Sequence, residues 1–124
     1  MKQKIVGSYL LGNEYVELVL REDTGGEFYL TPEDGHIARI KVGADYPDWG
    51  DVVRTLLHEA MELATARIKV RYFPQDDHGG DTHNYLFVMS HGDYADVCGR
   101  VAGFLVAALP DLAGAWKVWK RGSK

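Results

Sequence analysis

The stretch Pro47-Asp48-Trp49-Gly50-Asp51-Val52-Val53-Arg54-Thr55-Leu56-Leu57-His58-Glu59-Ala60-Met61-Glu62-Leu63-Ala64-Thr65-Ala66 decides the fold. Trp49, Val52, Val53, Leu56, Ala60, Leu63 and Ala64 recur at three- and four-residue spacing, with Leu57 at the edge of their stripe. That is the signature of an amphipathic helix. Pro47 suits the first helical turn, and Asp48 and Asp51 complement the positive end of the helix dipole. A helix is therefore predicted over 47–66.

Working outward toward the N-terminus, the pattern changes period. Residues 4–11 and 14–21 read as strands; in the second, Val16, Leu18 and Leu20 alternate with Glu17, Val19 and Arg21. Gly12-Asn13 between them is a turn pair that tolerates positive φ. After a turn at 22–26, residues 27–30 and 37–42 form a predicted hairpin closed by Thr31-Pro32-Glu33-Asp34-Gly35. Toward the C-terminus, Arg67 to Phe73 alternates again and Tyr85 to Met89 is its predicted partner strand, across the polar loop 74–83. Ser90 is placed to cap a further helix with Asp93 as the capping-box acid. Tyr94, Val97, Cys98, Val101, Phe104, Leu105 and Ala108 give its expected buried face, and Gly99 and Gly103 a flat strip for close packing. Pro110 is expected to break the run and open a last short helix carrying Leu112, Trp116 and Trp119. The expected fold class is α+β: N-terminal antiparallel strands, a long central helix, a β-hairpin and two C-terminal helices.

Composition bounds the function. A chain of 124 residues, 46% hydrophobic and 26% charged, is an ordinary single globular domain spanning 1–124. The net charge of −4 argues against a nucleic-acid footprint, which needs a basic surface. The single cysteine, Cys98, excludes an intrachain disulfide and fits a reducing compartment. It is expected to be buried and structural. The start of the chain lacks the apolar core of a signal peptide, and the apolar run 101–109 is shorter than the roughly 20 residues that span a bilayer. A cytoplasmic protein with no membrane role is expected. There is no Gly-x-Ser-x-Gly elbow and no phosphate-binding Walker loop.

Chemistry concentrates in His58-Glu59-Ala60-Met61-Glu62. Residues four apart share a helix face, so His58 and Glu62 can aim an imidazole and a carboxylate at one point. Zinc accepts both donor types, and a catalytic zinc takes three protein ligands. Glu59 is placed to act as a general base beside them. A third metal ligand is expected from His91, with His78, His83, Asp93 and Asp96 as alternatives. The acidic loop Asp76, Asp77, His78, Asp81 and His83 also suits a cation or a solvated hairpin tip. It lacks the ordered spacing of a calcium loop.

Residues 37–64, an edge strand followed by a helix reading Thr-Leu-Leu-His-Glu, resemble the core of the small zincin-type metallopeptidases. The resemblance implies zinc as cofactor, His58 as first ligand and Glu59 as catalytic base. Glu62 stands where that family's His-Glu-x-x-His motif has its second histidine. Beside this stands a plainer alternative. Around the helix, at about 100° per residue, His58 and Glu62 fall nearly opposite the apolar stripe, as a solvated polar face would. Small acidic chains of this kind also resemble accessory proteins of phages and mobile elements. That resemblance implies a chain without cofactor that binds a protein partner, through the 75–83 loop or the exposed face of the 47–66 helix. Two functional expectations follow: a macromolecule-binding accessory protein on a degenerate zincin-like scaffold, or a zinc-dependent hydrolase.

Overall fold

A computed structural model describes residues 2–30, 37–72 and 86–122. The strands are β1 (Gln3–Leu11), β2 (Glu14–Arg21), β3 (Gly26–Tyr29) and β4 (Ala38–Gly43); helix α1 (Trp49–Arg67), the short strands β5 (Arg71–Tyr72) and β6 (Leu86–Phe87), and helix α2 (His91–Gly122) follow. β1 to β4 form one sheet in the order β1-β2-β4-β3, and β5 pairs with β6. The fold is α+β, as the change of period from two to 3.6 implies.

The sheet is mixed, which corrects the expectation of purely antiparallel N-terminal strands. β1 pairs antiparallel with β2 and β3 antiparallel with β4, but β2 and β4 are parallel, with Val16, Leu18 and Leu20 beside Ala38, Ile40 and Val42. The chain runs up and down in sequence, and β4 enters between β2 and β3. Burial explains the insertion. Ile40 and Val42 are fully buried, whereas β3 is short and no residue of it is fully buried. The central slot goes to the more apolar strand.

Both helices cover the sheet face that carries those aliphatic residues. Val52, Leu56, Ala60, Leu63 and Ala64 of α1 and Val97, Val101, Phe104, Ala108 and Leu112 of α2 complete one core. Each fully buried large side chain stabilises the fold by about 1.5–3 kcal/mol relative to exposure. α1 ends where Lys69 takes a left-handed φ of 60°. Arg67, expected to begin a strand, instead completes the helix and anchors it to β2 through Glu14, 2.6 Å away, and to the Leu30 carbonyl, 2.7 Å away. The second hairpin is correspondingly short. Its expected loop 74–83, with Phe73 and Tyr85, lies outside the described residues, as do Thr31 to Gly35.

The C-terminal region corrects two further expectations. A single helix of 32 residues replaces the two expected, because α2 continues through Pro110. An interior proline removes one helical hydrogen bond. Here two contacts on the C-terminal side of Pro110 hold the axis: the Tyr9 hydroxyl donates to Asp111 at 2.8 Å, and the Trp116 indole donates to the Ala44 carbonyl at 3.0 Å. Trp116 stacks at 5.4 Å on Trp49 of α1. The helix start follows expectation, with reciprocal Ser90 and Asp93 capping bonds of 3.1 and 3.2 Å. Its buried face does not: Cys98 and Tyr94 are exposed, and a methyl group added at Gly99 or Gly103 would meet open space. By length and composition α2 is also long and apolar enough to cross a membrane, beyond what the run 101–109 alone indicated.

The Tyr9–Asp111 bond yields a pH prediction. Burial first, and the Asp111 carboxylate second, push the Tyr9 phenol from 10.0 up to about 12. The folded-state value is raised, so the contribution to stability is complete below pH 10.0 and is lost as pH rises through about 12. The tyrosinate absorbance of the wild type, less that of Tyr9→Phe, is expected to rise near pH 12, and Asp111→Asn to move that rise toward 10.0. An unchanged difference curve in Asp111→Asn would remove Asp111 as a cause.

Candidate metal centre

The polar turn of α1 does not stand free in solvent. β3 lies over one side of it, and Gly26 makes that approach possible. A Cβ at Gly26 would fall 2.8 Å from Thr55 Cγ2 and 2.9 Å from Glu59 Cγ. With hydrogen there instead, the strand backbone presses on the helix between Thr55 and Glu59, the use of glycine at a close backbone approach. Glu59 is thereby buried, with 6% of its surface exposed. Glu62 is partly covered and His58 mostly exposed, and His58 Nε2 lies 3.4 Å from Glu62 Oε2.

One donor atom from each of His58, Glu59 and Glu62 lies within 4.8 Å of the others. Zinc bonds to nitrogen and oxygen run about 2.0–2.2 Å, so two donors on one ion stand at most about 4.4 Å apart. Small side-chain rotations bring the three donors inside that limit. An imidazole with two carboxylates suits zinc, manganese or iron by donor chemistry. The donors border a cleft of about 460 Å³ whose other wall is β3 from Gly26 to Tyr29.

Electrostatics point the same way. The Glu59 carboxyl is raised above the usual carboxylate range, chiefly by burial and then by the neighbouring Glu62 charge; His58 and Arg21 oppose the rise. A buried acid beside a second acid is a place where a cation is favourable. On the other side of β3, Glu27 is held below its ordinary value, first by the Tyr29 hydroxyl and then, against the cost of burial, by Arg21. Arg21 is itself buried between Asp23 at 2.8 Å and Glu27 at 2.9 Å.

The sequence-derived site residues are thus brought together only in part. His58, Glu59 and Glu62 converge, and Glu59 lies among the donors. His91 is exposed at the first residue of α2 and belongs to no donor group with them among the described residues. Of the alternatives, Asp93 serves the helix cap and Asp96 binds Arg100 at 2.9 Å. His78, His83 and the acids of the 76–81 loop lie outside the described residues. Sequence reasoning missed the cover that β3 provides. Its signal was the small pair Gly25-Gly26 ahead of a short strand, together with Thr55 one turn before Glu59. A larger cavity of about 760 Å³ lies between β1 and α2, but its charged lining is Asp96 and Arg100, already paired with each other. Compared with known protein families, characterised proteins and solved structures, the chain matches none.

Proposed function

We propose that this chain is a small cytoplasmic accessory protein, built on a degenerate zincin-like scaffold, that binds a protein partner at the cleft between α1 and β3. In this reading His58, Glu59 and Glu62 hold a divalent cation, zinc first, on the floor of the cleft. One observation carries the reading: three donors of metal-binding type lie within 4.8 Å of one another beneath a strand at the edge of its sheet. An edge strand accepts an extended segment through its backbone hydrogen bonds, which is a common way to bind a protein. A bound ion would supply positive charge and Lewis acidity where two carboxylates otherwise repel. The chain's own contribution is placement: α1 sets the spacing of the donors and β3 excludes water from Glu59.

A second reading, a zinc-dependent hydrolase with Glu59 as general base, is favoured by one fact. Glu59 is a buried carboxyl beside His58 and Glu62, raised by burial above the ordinary carboxylate range, the direction a general base needs.

The experiment is metal analysis of protein purified without a histidine tag. About one divalent ion per chain is expected. His58→Ala is expected to weaken zinc binding by roughly a hundredfold, as loss of a ligand should exceed the 10–100-fold typical of outer-shell changes. The His58 side chain is 65% exposed, so this variant should keep the native circular dichroism. Glu59→Gln separates the readings. Weakened zinc binding alone supports the binding role, and retained zinc with lost peptide hydrolysis supports the enzyme. Protein that takes up no zinc, manganese or iron ends both metal readings.

A further inference from the structure

Glu59 is a buried acid whose own fold gives it no partner. It is 6% exposed, and among the described residues its carboxylate makes no hydrogen bond and no ion pair. A buried polar group left in this state is costly, so something from outside the chain is called for. The carboxylate faces the cleft that His58, Glu62 and β3 also line.

The opposite wall of that cleft carries open groups of its own. The Gly43 N–H donates to the Gly25 carbonyl at 2.8 Å, and Gly26 to Tyr29 continue in that register against Val42 to Arg39. Bonds to β4 therefore fall at Gly25, Glu27 and Tyr29, while the N–H and C=O of Gly26 and Phe28 point away from β4. β3 is the edge of its sheet, and no described residue bonds to these outward groups. An extended segment laid antiparallel along this edge, about 4.8 Å out, would bond to both residues. Its residue opposite Gly26 would turn its side chain toward α1, because paired residues share a face. No Cβ competes there: one at Gly26 would lie 3.1 Å from Glu59 Oε2. Opposite Phe28 the ring, packed on the core, takes the space.

Charge selects the side chain. A divalent ion with Glu59 and Glu62 ionised and His58 neutral is a neutral centre, one donor short of the four that zinc takes in a closed site. A neutral fourth donor keeps it so. A carboxylate or thiolate would add a negative charge to a half-covered cleft that Glu27 also lines, at a desolvation cost. Among side chains this favours imidazole.

Resting on the metal reading above, we infer that the partner binds as an extended segment carrying a histidine opposite Gly26, whose imidazole completes the coordination of the ion held by His58, Glu59 and Glu62. The test uses the full chain and the blocked peptide acetyl-Thr-Val-Thr-His-Thr-Val-Thr-amide, with titration calorimetry as readout. Zinc content of the chain alone is measured first and examines the metal reading. With zinc loaded, the histidine peptide is expected to bind at least about tenfold more tightly than versions with alanine or glutamate at its centre, a difference of about 1.4 kcal/mol. In a chelator the histidine and alanine peptides should bind alike. Methylating the backbone nitrogen of the peptide's histidine removes its bond to the Gly26 carbonyl and should weaken binding about tenfold, which ligation by a free imidazole would not show. Zinc uptake with no preference for histidine, with no effect of the methyl group, or with no peptide bound overturns the inference and leaves the metal reading standing. A chain that takes up no zinc overturns both.

Discussion

Replacing Phe104 by alanine is expected to cost about 3–5 kcal/mol, in the range for deleting a buried phenylalanine. The ring is fully buried where α2 meets the sheet and stands edge-on to Tyr9 at 6.2 Å. α2 packs most extensively against β1, ahead of α1 and β2, and Phe104 is its largest fully buried side chain. A domain of this size has roughly 5–15 kcal/mol of stability in all, so this loss is about a fifth of it or more. Thermal and urea unfolding measure it, and the melting temperature is expected to fall by roughly 10–25 °C. On the same helix, Val118→Ala, at a side chain 51% exposed, should change stability by less than about 0.5 kcal/mol. A small effect at Phe104 would mean that α2 is not fastened to β1 as described.

The second large effect is expected at Gly43, where alanine should destabilise by about 1–3 kcal/mol through overpacking. An added Cβ would lie 2.7 Å from Thr24 Cα and 2.8 Å from the Asp23 carbonyl carbon. These are backbone atoms, which cannot rotate away as a side chain can. The turn between β2 and β3 is folded against the end of β4 by three backbone bonds, Gly43 to Gly25 and Ala44 to Arg21 at 2.8 Å and Asp45 to Asp23 at 2.9 Å. The Tyr46 hydroxyl accepts a fourth from Gly25 at 2.6 Å. Gly43→Ala should push the turn off and expose these amides to hydrogen exchange faster than those of β1. Exchange that accelerates equally throughout the chain would show global destabilisation without a local cause.

The elements legible in the sequence are those whose burial alternates with one clear period. β1, β2, the β3–β4 hairpin and α1 follow directly from the spacing of Val16, Leu18 and Leu20, and of Val52, Leu56, Ala60 and Leu63. The position of β4 inside the sheet is not a local property. It depends on competition between two strands for one slot, which Ile40 and Val42 win. Pro110 misleads because its local penalty is visible in the sequence, while the contacts of Asp111 and Trp116 with distant residues are not. Cys98 misleads for a related reason. It lies one position around the helix from Val97, and only the sheet shows that the buried line passes through Val97, Val101, Phe104 and Ala108. At the candidate site the spacing of His58, Glu59 and Glu62 was readable. The helix wheel alone placed His58 and Glu62 in open water, because it does not contain the strand that Gly26 brings across Thr55 and Glu59.

His58, Glu59 and Glu62 all belong to a single turn of α1. A cation held there would cross-link no two parts of the chain, so removing it would untie nothing. Occupancy would be set by the supply of ion and by pH, while the shape of the protein stayed the same. Unlike a zinc finger, whose folding waits for its metal, this domain would gain and release its ion as a finished object.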